Sequence, residues 1–400
     1  MSKKVLFAVV VFALALSACA PGGAASAVPE VCASDAFGCA KIPAGQTVKI
    51  GMGAPMTGGD ASFGIDISQG GIIATQDAGE FEGFKFELVA QDDQGNAEGG
   101  AAVANKLVSD PTVVAVAGHI YSGATAAAIP IYEKVGLPML SPSATNPALT
   151  TTGSKVFNRI PFTDVIQSDF AAKYLFETLG IKKLAVMHDG SDYGKGLAEL
   201  VKENFTKLGG EVVAFQAITP KETDYTAVLS TVASSKPDAI YFGGYTAEGS
   251  VIANQMKQTG LENAIFFGCD GTYGADFLSR TGANGEGSFA VSLTPPDTAE
   301  KAAFDAAYLK AFGTAAGTLS PFTWNGYDTV AALISVVKSV AVKGSDGALY
   351  VPRGALVAGV RGLKDYAGIS GTFSCNEVGE CNASGPLFVT IKDGKWVPAK

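Results

Sequence analysis

Several stretches of this 400-residue chain carry residue types and spacings that could do chemistry. Gly51-Met52-Gly53-Ala54-Pro55-Met56 follows an apolar run, like the opening of a dinucleotide-binding loop. Met56 takes the third glycine position and Pro55 removes a backbone N–H, so the match fails. Gly190-Ser191-Asp192-Tyr193-Gly194-Lys195-Gly196 is one residue short of a phosphate loop, with Gly196 in place of the needed Ser or Thr. No serine is flanked by glycines at spacing two, which removes the nucleophile elbow of hydrolases. Asp92-Asp93-Gln94-Gly95-Asn96 groups acidic oxygens but lacks the regular spacing and distal Glu of a calcium loop. Its simpler reading is a strand end followed by a helix capped by Asn96. His119 and His188 each end an expected strand, with no third ligand for a metal. No catalytic constellation, metal site or cofactor site survives.

The elements that position these residues are α/β. Strands are expected over 48–52, 84–90, 113–117, 183–187, 212–216, 239–242 and 264–267. Between them, apolar spacing of three and four predicts helices over 65–77, 97–109, 168–179, 196–208, 225–234 and 247–259. Alternation of this kind means βαβ units and a mostly parallel sheet. One series fills 47–160 and a second fills 183–268, which predicts two similar lobes. Both series begin alike: a strand, a loop ending in Phe63-Gly64 or Tyr193-Gly194, then a helix. Ligands of open parallel sheets bind beyond the carboxyl ends of the strands. Phe63 and Tyr193 are therefore expected at that edge, one from each lobe. After 290–293 the chain is expected to form helices over 299–312, 328–342 and 353–362, then a hairpin of 371–374 with 387–392. That order implies that the chain crosses between the lobes more than once.

The N-terminus reads as an address. Lys3 and Lys4 precede twelve apolar residues over 5–16, too short to span a bilayer but suited to a secretory signal. Leu16-Ser17-Ala18-Cys19 resembles a bacterial lipobox, which implies cleavage after residue 18 and lipidation of Cys19. Residues 19–45 are rich in Ala, Gly, Pro and Ser and read as a flexible tether. Export favours disulfides. Six cysteines less a lipidated Cys19 leave Cys32 with Cys39 and Cys375 with Cys381 as candidates for two short loops, connectivity open, and Cys269 as a small buried hydrophobe.

Composition excludes other classes. The net charge of −9 becomes −11 once residues 1–18, with two lysines and no acids, are removed. An acidic chain with no basic run does not suit a nucleic-acid partner. The 49 glycines are dispersed without a period, which excludes collagen-like and low-complexity readings.

Gly118-His119-Ile120-Tyr121-Ser122-Gly123-Ala124-Thr125 followed by Ser141-Pro142-Ser143-Ala144-Thr145-Asn146-Pro147 resembles the leucine/isoleucine/valine-binding proteins, the amino-acid-binding subunits of bacterial ABC importers. His188 to Gly196, Gly243-Gly244-Tyr245 and Phe266 to Gly271 extend the likeness in order, over roughly 46–395. The resemblance implies a type I periplasmic-binding-protein fold of two Rossmann-like lobes with parallel central sheets, joined by three crossovers. The expected division is 46–164 plus 294–366 for lobe 1 and 165–293 plus 367–400 for lobe 2. By position, Ser122 and Thr145 are implied to offer hydroxyls, and Ser143 its backbone, to a ligand α-carboxylate. Asp270 is implied to receive the α-ammonium, Tyr193 and Tyr245 to close over the ligand, and Phe63 to wall the side-chain pocket. Physical chemistry supports this set, because helix N-termini with free N–H groups bind carboxylates and a buried ammonium needs a charged acceptor.

Two departures from the family stand out. Gly95 and Tyr121 stand where relatives often place a disulfide, and Asp270 is one methylene shorter than the usual Glu. The implied function is a monomeric, lipid-anchored receptor on the outside of the cell membrane. It delivers a branched-chain or other apolar amino acid to an ABC permease and its ATPase. The alternatives are a binder of small amides, urea or aromatic acids in the same fold, and a sensory module. No enzymatic activity is implied.

Overall fold

The computed structural model describes residues 28–293 and 295–399. The expected signal peptide, 1–18, and Cys19 lie outside the described residues. Two sheets organise the chain. The first runs in the order Glu80–Phe81, Phe84–Asp92, Val48–Ala54, Val113–Ala117, Met139–Ser141, Phe157–Arg159. It is parallel except at the Glu80–Phe81 edge. The second runs Lys395–Pro398, Pro386–Lys392, Phe289–Leu293, Ile265–Phe267, Ala239–Gly243, Lys183–His188, Glu211–Ala217. Its last five strands are parallel, and the two C-terminal strands join antiparallel at one edge. This is the type I periplasmic-binding-protein architecture, α/β with two lobes.

Helices cover both faces of each sheet, as parallel strands buried on two sides require. One face of the first sheet packs Val103, Leu107, Ile129 and Tyr132 against Val113, Val116 and Met139. The matching layer of the second packs Leu229, Val232, Ile252 and Met256 against Ala185, Met187, Ile240 and Phe242. The remaining faces share one larger core with the returning helix Thr323–Val340.

The strands read from apolar runs are all present, within one or two residues at each end. Met139–Ser141 and Phe157–Arg159, at three residues each, are too short for a periodic signal. Asn96 caps its helix as expected, accepting from the Gly99 N–H at 2.9 Å.

Three features differ from expectation. Residues 19–45 are not a tether throughout: Glu30–Ser34 is helical, and Cys39–Ile42 pairs antiparallel with Leu349–Pro352. The Cys32–Cys39 disulfide closes the intervening loop. The Asp35 carboxylate accepts from Gly354 N–H at 2.9 Å and Ala355 N–H at 3.0 Å, capping helix Arg353–Arg361. Composition could not show a cap supplied from so far along the chain. Second, the C-terminal hairpin pairs Pro386–Lys392 with Lys395–Pro398, while Thr372–Phe373 pairs with Tyr366–Ala367. Third, residues 367–383 stay with lobe 1, beyond the expected limit of 366. Asp328 accepts from Ile369 and Ser370 N–H, and the Cys375–Cys381 loop holds Glu380 at 3.0 Å from buried Arg159.

Candidate functional site

Phe63-Gly64 lies in the first turn of helix Ala61–Asp77, and Tyr193-Gly194 in the first turn of Asp192–Lys207. The glycines explain the shared motif. A Cβ on Gly64 would stand 2.1 Å from the Pro55 carbonyl oxygen, and one on Gly194 would stand 2.5 Å from that of Gly243. Each helix can therefore lie hard against a strand end, which aims the preceding aromatic at the other lobe.

Lobe 1 contributes the start of helix Ser122–Glu133 and the loop after Met139–Ser141. The Ser122 hydroxyl accepts from Asn146 N–H at 3.3 Å, and the Ser143 hydroxyl donates to the Ile120 carbonyl at 2.8 Å. Lobe 2 contributes Tyr245, which precedes helix Thr246–Met256, and Asp270, which opens the turn after Ile265–Phe267. The Asp270 carboxylate accepts through Oδ1 from the Tyr193 hydroxyl and from Gln167 Nε2 at 2.7 Å, while Gln167 Oε1 accepts the Asp270 N–H at 3.1 Å. Both side-chain bonds fall on Oδ1, and the backbone N–H groups of Asp270 and Gly271 also act on the carboxylate. Burial holds the Asp270 carboxyl above the usual range, against the Tyr193 and Gln167 bonds that lower it. A cation arriving there would favour the ionised form.

Phe63, Ser122, Ser143, Tyr193, Tyr245 and Asp270 line one cavity, completed by Ile120, Tyr121 and Gly271. Its volume of about 10 Å³ is roughly that of one water site. Aromatic rings fill the rest. Tyr121 stacks on Tyr245 with ring centres 3.9 Å apart, and Phe63 meets Tyr121 edge-on at 5.9 Å. The lobes touch around this cavity: Ser62 Oγ donates to Asp276 at 2.6 Å, and Ala247 N–H donates to Asp60 at 3.0 Å. On the opposite flank Asn146 Nδ2 donates to the Asp192 carbonyl at 2.6 Å. Anything larger than a water therefore enters this cavity only if the lobes part.

Thr145 is the exception among the expected residues. It is buried but does not line the cavity, and its hydroxyl faces Asp164 without closing a hydrogen bond of good geometry. Burial first, then the Asp270 charge, pushes the Asp164 carboxyl up to about 8. Gln167 was not among the expected site residues, because a glutamine inside a helix carries no local sign of a partner 103 residues away. The departures at Gly95 and Tyr121 prove to be one contact. A Cβ on Gly95 would stand 2.7 Å from the Tyr121 ring, so the ring fills the space above that glycine.

The other candidates resolve structurally. His119 is buried between Asp93, 2.8 Å away, and the Tyr132 hydroxyl, 2.9 Å away. Cys269 is buried with its thiol 3.2 Å from the Gly244 carbonyl, and burial pushes that thiol up to about 12. Among the described residues no group of His, Cys, Asp and Glu could hold a metal ion, and no helix is long and apolar enough to cross a membrane.

Comparison with known proteins agrees with this architecture. The chain is 34% identical over 238 residues to an amino acid binding protein of Pseudomonas aeruginosa, covering 59% of this chain and 63% of that relative. It is 32% identical over 359 residues, 88% of this chain and 93% of the relative, to a Leu/Ile/Val-binding protein homologue of Brucella melitensis. Among solved structures, the branched-chain amino acid transporter substrate-binding protein of Streptococcus pneumoniae, in complex with isoleucine, superposes with a TM-score of 0.78 at 29% identity, over 89% of this chain and 99% of that one. The family model for periplasmic binding proteins matches residues 47–394, and the chain belongs to that family of solute-binding proteins.

Proposed function

We propose that this protein captures an amino acid between its lobes and delivers it to an ABC importer. The observation that carries the reading is one cavity with opposite chemistry on its two walls. Lobe 1 presents the N-terminus of helix Ser122–Glu133 with the Ser122 and Ser143 groups. Unpaired N–H groups and the helix dipole there favour a carboxylate. Lobe 2 presents Asp270, steadied by Gln167 and Tyr193, for an ammonium. Phe63, Ile120 and the tyrosines pack the carbon chain between them, in keeping with relatives named for leucine, isoleucine and valine. A zwitterion spanning both walls favours the closed state, because it gains contacts to both lobes only there.

Export and anchoring belong to the same proposal. Cleavage before Cys19 and its lipidation would hold the receptor at the outer face of the cell membrane as a monomer, within reach of the permease and ATPase subunits.

Mass spectrometry of ligand released from the purified protein should return an amino acid. Asp270→Ala leaves the ammonium unpaired, at a cost on the order of 3–5 kcal/mol, and so lowers affinity roughly 10²–10³-fold with folding retained. Full affinity in the variant would remove Asp270 from the reading.

A further inference from the structure

Behind the Tyr121–Tyr245 stack lies a second space. The two rings line the small cavity on one side and, on the other, an interlobe chamber of about 610 Å³. Asp60 on lobe 1 and Asp189 and Glu248 on lobe 2 line that chamber. Each carboxylate has one oxygen engaged. Asp60 Oδ1 accepts from Ala247 N–H at 3.0 Å, Asp189 Oδ1 from Ser191 N–H at 2.9 Å and its hydroxyl at 2.7 Å, and Glu248 Oε1 from Lys221 N–H at 2.9 Å. Among the described residues no ion pair reaches any of the three, although Arg280 lies near Asp60 and Lys221 lines the rim. The Tyr121 hydroxyl is buried without a hydrogen-bond partner, its residue lines the chamber, and the carboxylates acting on it include Asp60, Asp93 and Glu248. Tyr121 therefore stands in the wall between the small cavity and the chamber. The three acids form no group that could hold a metal ion, and their spread over both lobes suits an organic cation better.

We propose that this chamber is a second subsite, for the cationic end of a diamino or guanidino acid. The α-amino-acid head sits at Ser122 and Asp270, and the carbon chain passes between Tyr121 and Tyr245. The proposal rests on the amino-acid reading above and narrows its ligand class. Tyrosine faces attract an ammonium or guanidinium directly. Carboxylates with an open oxygen give it charge-assisted hydrogen bonds. The Tyr121 hydroxyl gains a role beside them, whereas a branched-chain ligand would leave all of these groups empty.

Calorimetry at pH 8 with L-lysine, L-arginine, L-norleucine, L-leucine and pentane-1,5-diamine tests this on wild type and on the Asp60→Asn/Glu248→Gln double variant. Both amides keep an oxygen for the existing N–H bonds, and circular dichroism checks the fold. Lysine or arginine should bind wild type at least ten times more tightly than norleucine, and the double variant should bring that ratio to about one. Leucine or norleucine binding as tightly as the basic amino acids would overturn the chamber while leaving the amino-acid reading intact. A ratio that survives the double variant would overturn it too. Diamine binding as tightly as lysine would show that no α-amino-acid head is read, and both proposals would fall. Asp60→Asn alone, expected to lower the ratio in part, supplies a second variant should the double one misfold.

Discussion

Asp60 and Asp66 stand six residues apart at the start of one helix, and their surroundings are opposite. Asp66 is fully buried and saturated: Tyr308, Ser320 and Thr323 all donate to its carboxylate. Those donors come from the chain returning to lobe 1, so Asp66 fastens that return to helix Ala61–Asp77. Asp328 works in the same way, with donors from Ile369 and Ser370. Asp60, half-buried, takes one backbone bond from the opposite lobe and faces two further carboxylates. A buried acid whose oxygens are all bonded has completed its role in the fold. One held beside like charges with an oxygen to spare is arranged for something that arrives. Asp270 shares the like-charged neighbour, Asp164, and lines a cavity.

Removing the saturated acid should have the larger effect on stability. Asp66→Ala strands three hydroxyls in the core, at a cost on the order of 3 kcal/mol. Urea unfolding at about pH 4, where folded Asp60 is protonated, should show a clearly lowered midpoint, while Asp60→Asn should change stability there by less than about 1 kcal/mol. Equal losses would erase the distinction between the two regions.

A smaller, pH-dependent effect sharpens it. Burial first, then the Glu248 charge, pushes the Asp60 carboxyl up to about 7. With a folded value above the ordinary 3.8, the fold prefers the protonated acid. That contribution is complete below about pH 4 and is lost as pH rises through about 7. Asp60→Asn should therefore gain on wild type in melting temperature between pH 4 and pH 8. Parallel melting curves across that range would mean that Asp60 is no more confined than a surface acid.

The lobes and their motif loops were legible because parallel strands buried on both faces leave dense apolar runs, and helices leave their own period. Phe63 and Tyr193 were legible from the repeated aromatic-Gly step. The resemblance then placed Ser122, Ser143, Tyr245 and Asp270 around the same cavity. Thr145 shares their motif but turns to Asp164, because a loop position does not encode a side-chain direction. The chamber was hidden for a different reason. Asp60, Asp189 and Glu248 are scattered in sequence and come together only where the lobes meet. Asp35 escaped notice in the same way, since the helix it caps lies 320 residues downstream.

The central claim is that one cavity reads both ends of an α-amino acid. Calorimetric titration of wild type with the amino acid recovered from the protein, and with its analogue lacking only the α-amino group, tests it directly. The analogue should bind at least about 10²-fold more weakly, because it leaves Asp270 buried and unpaired. Equal affinity for the two would contradict the account.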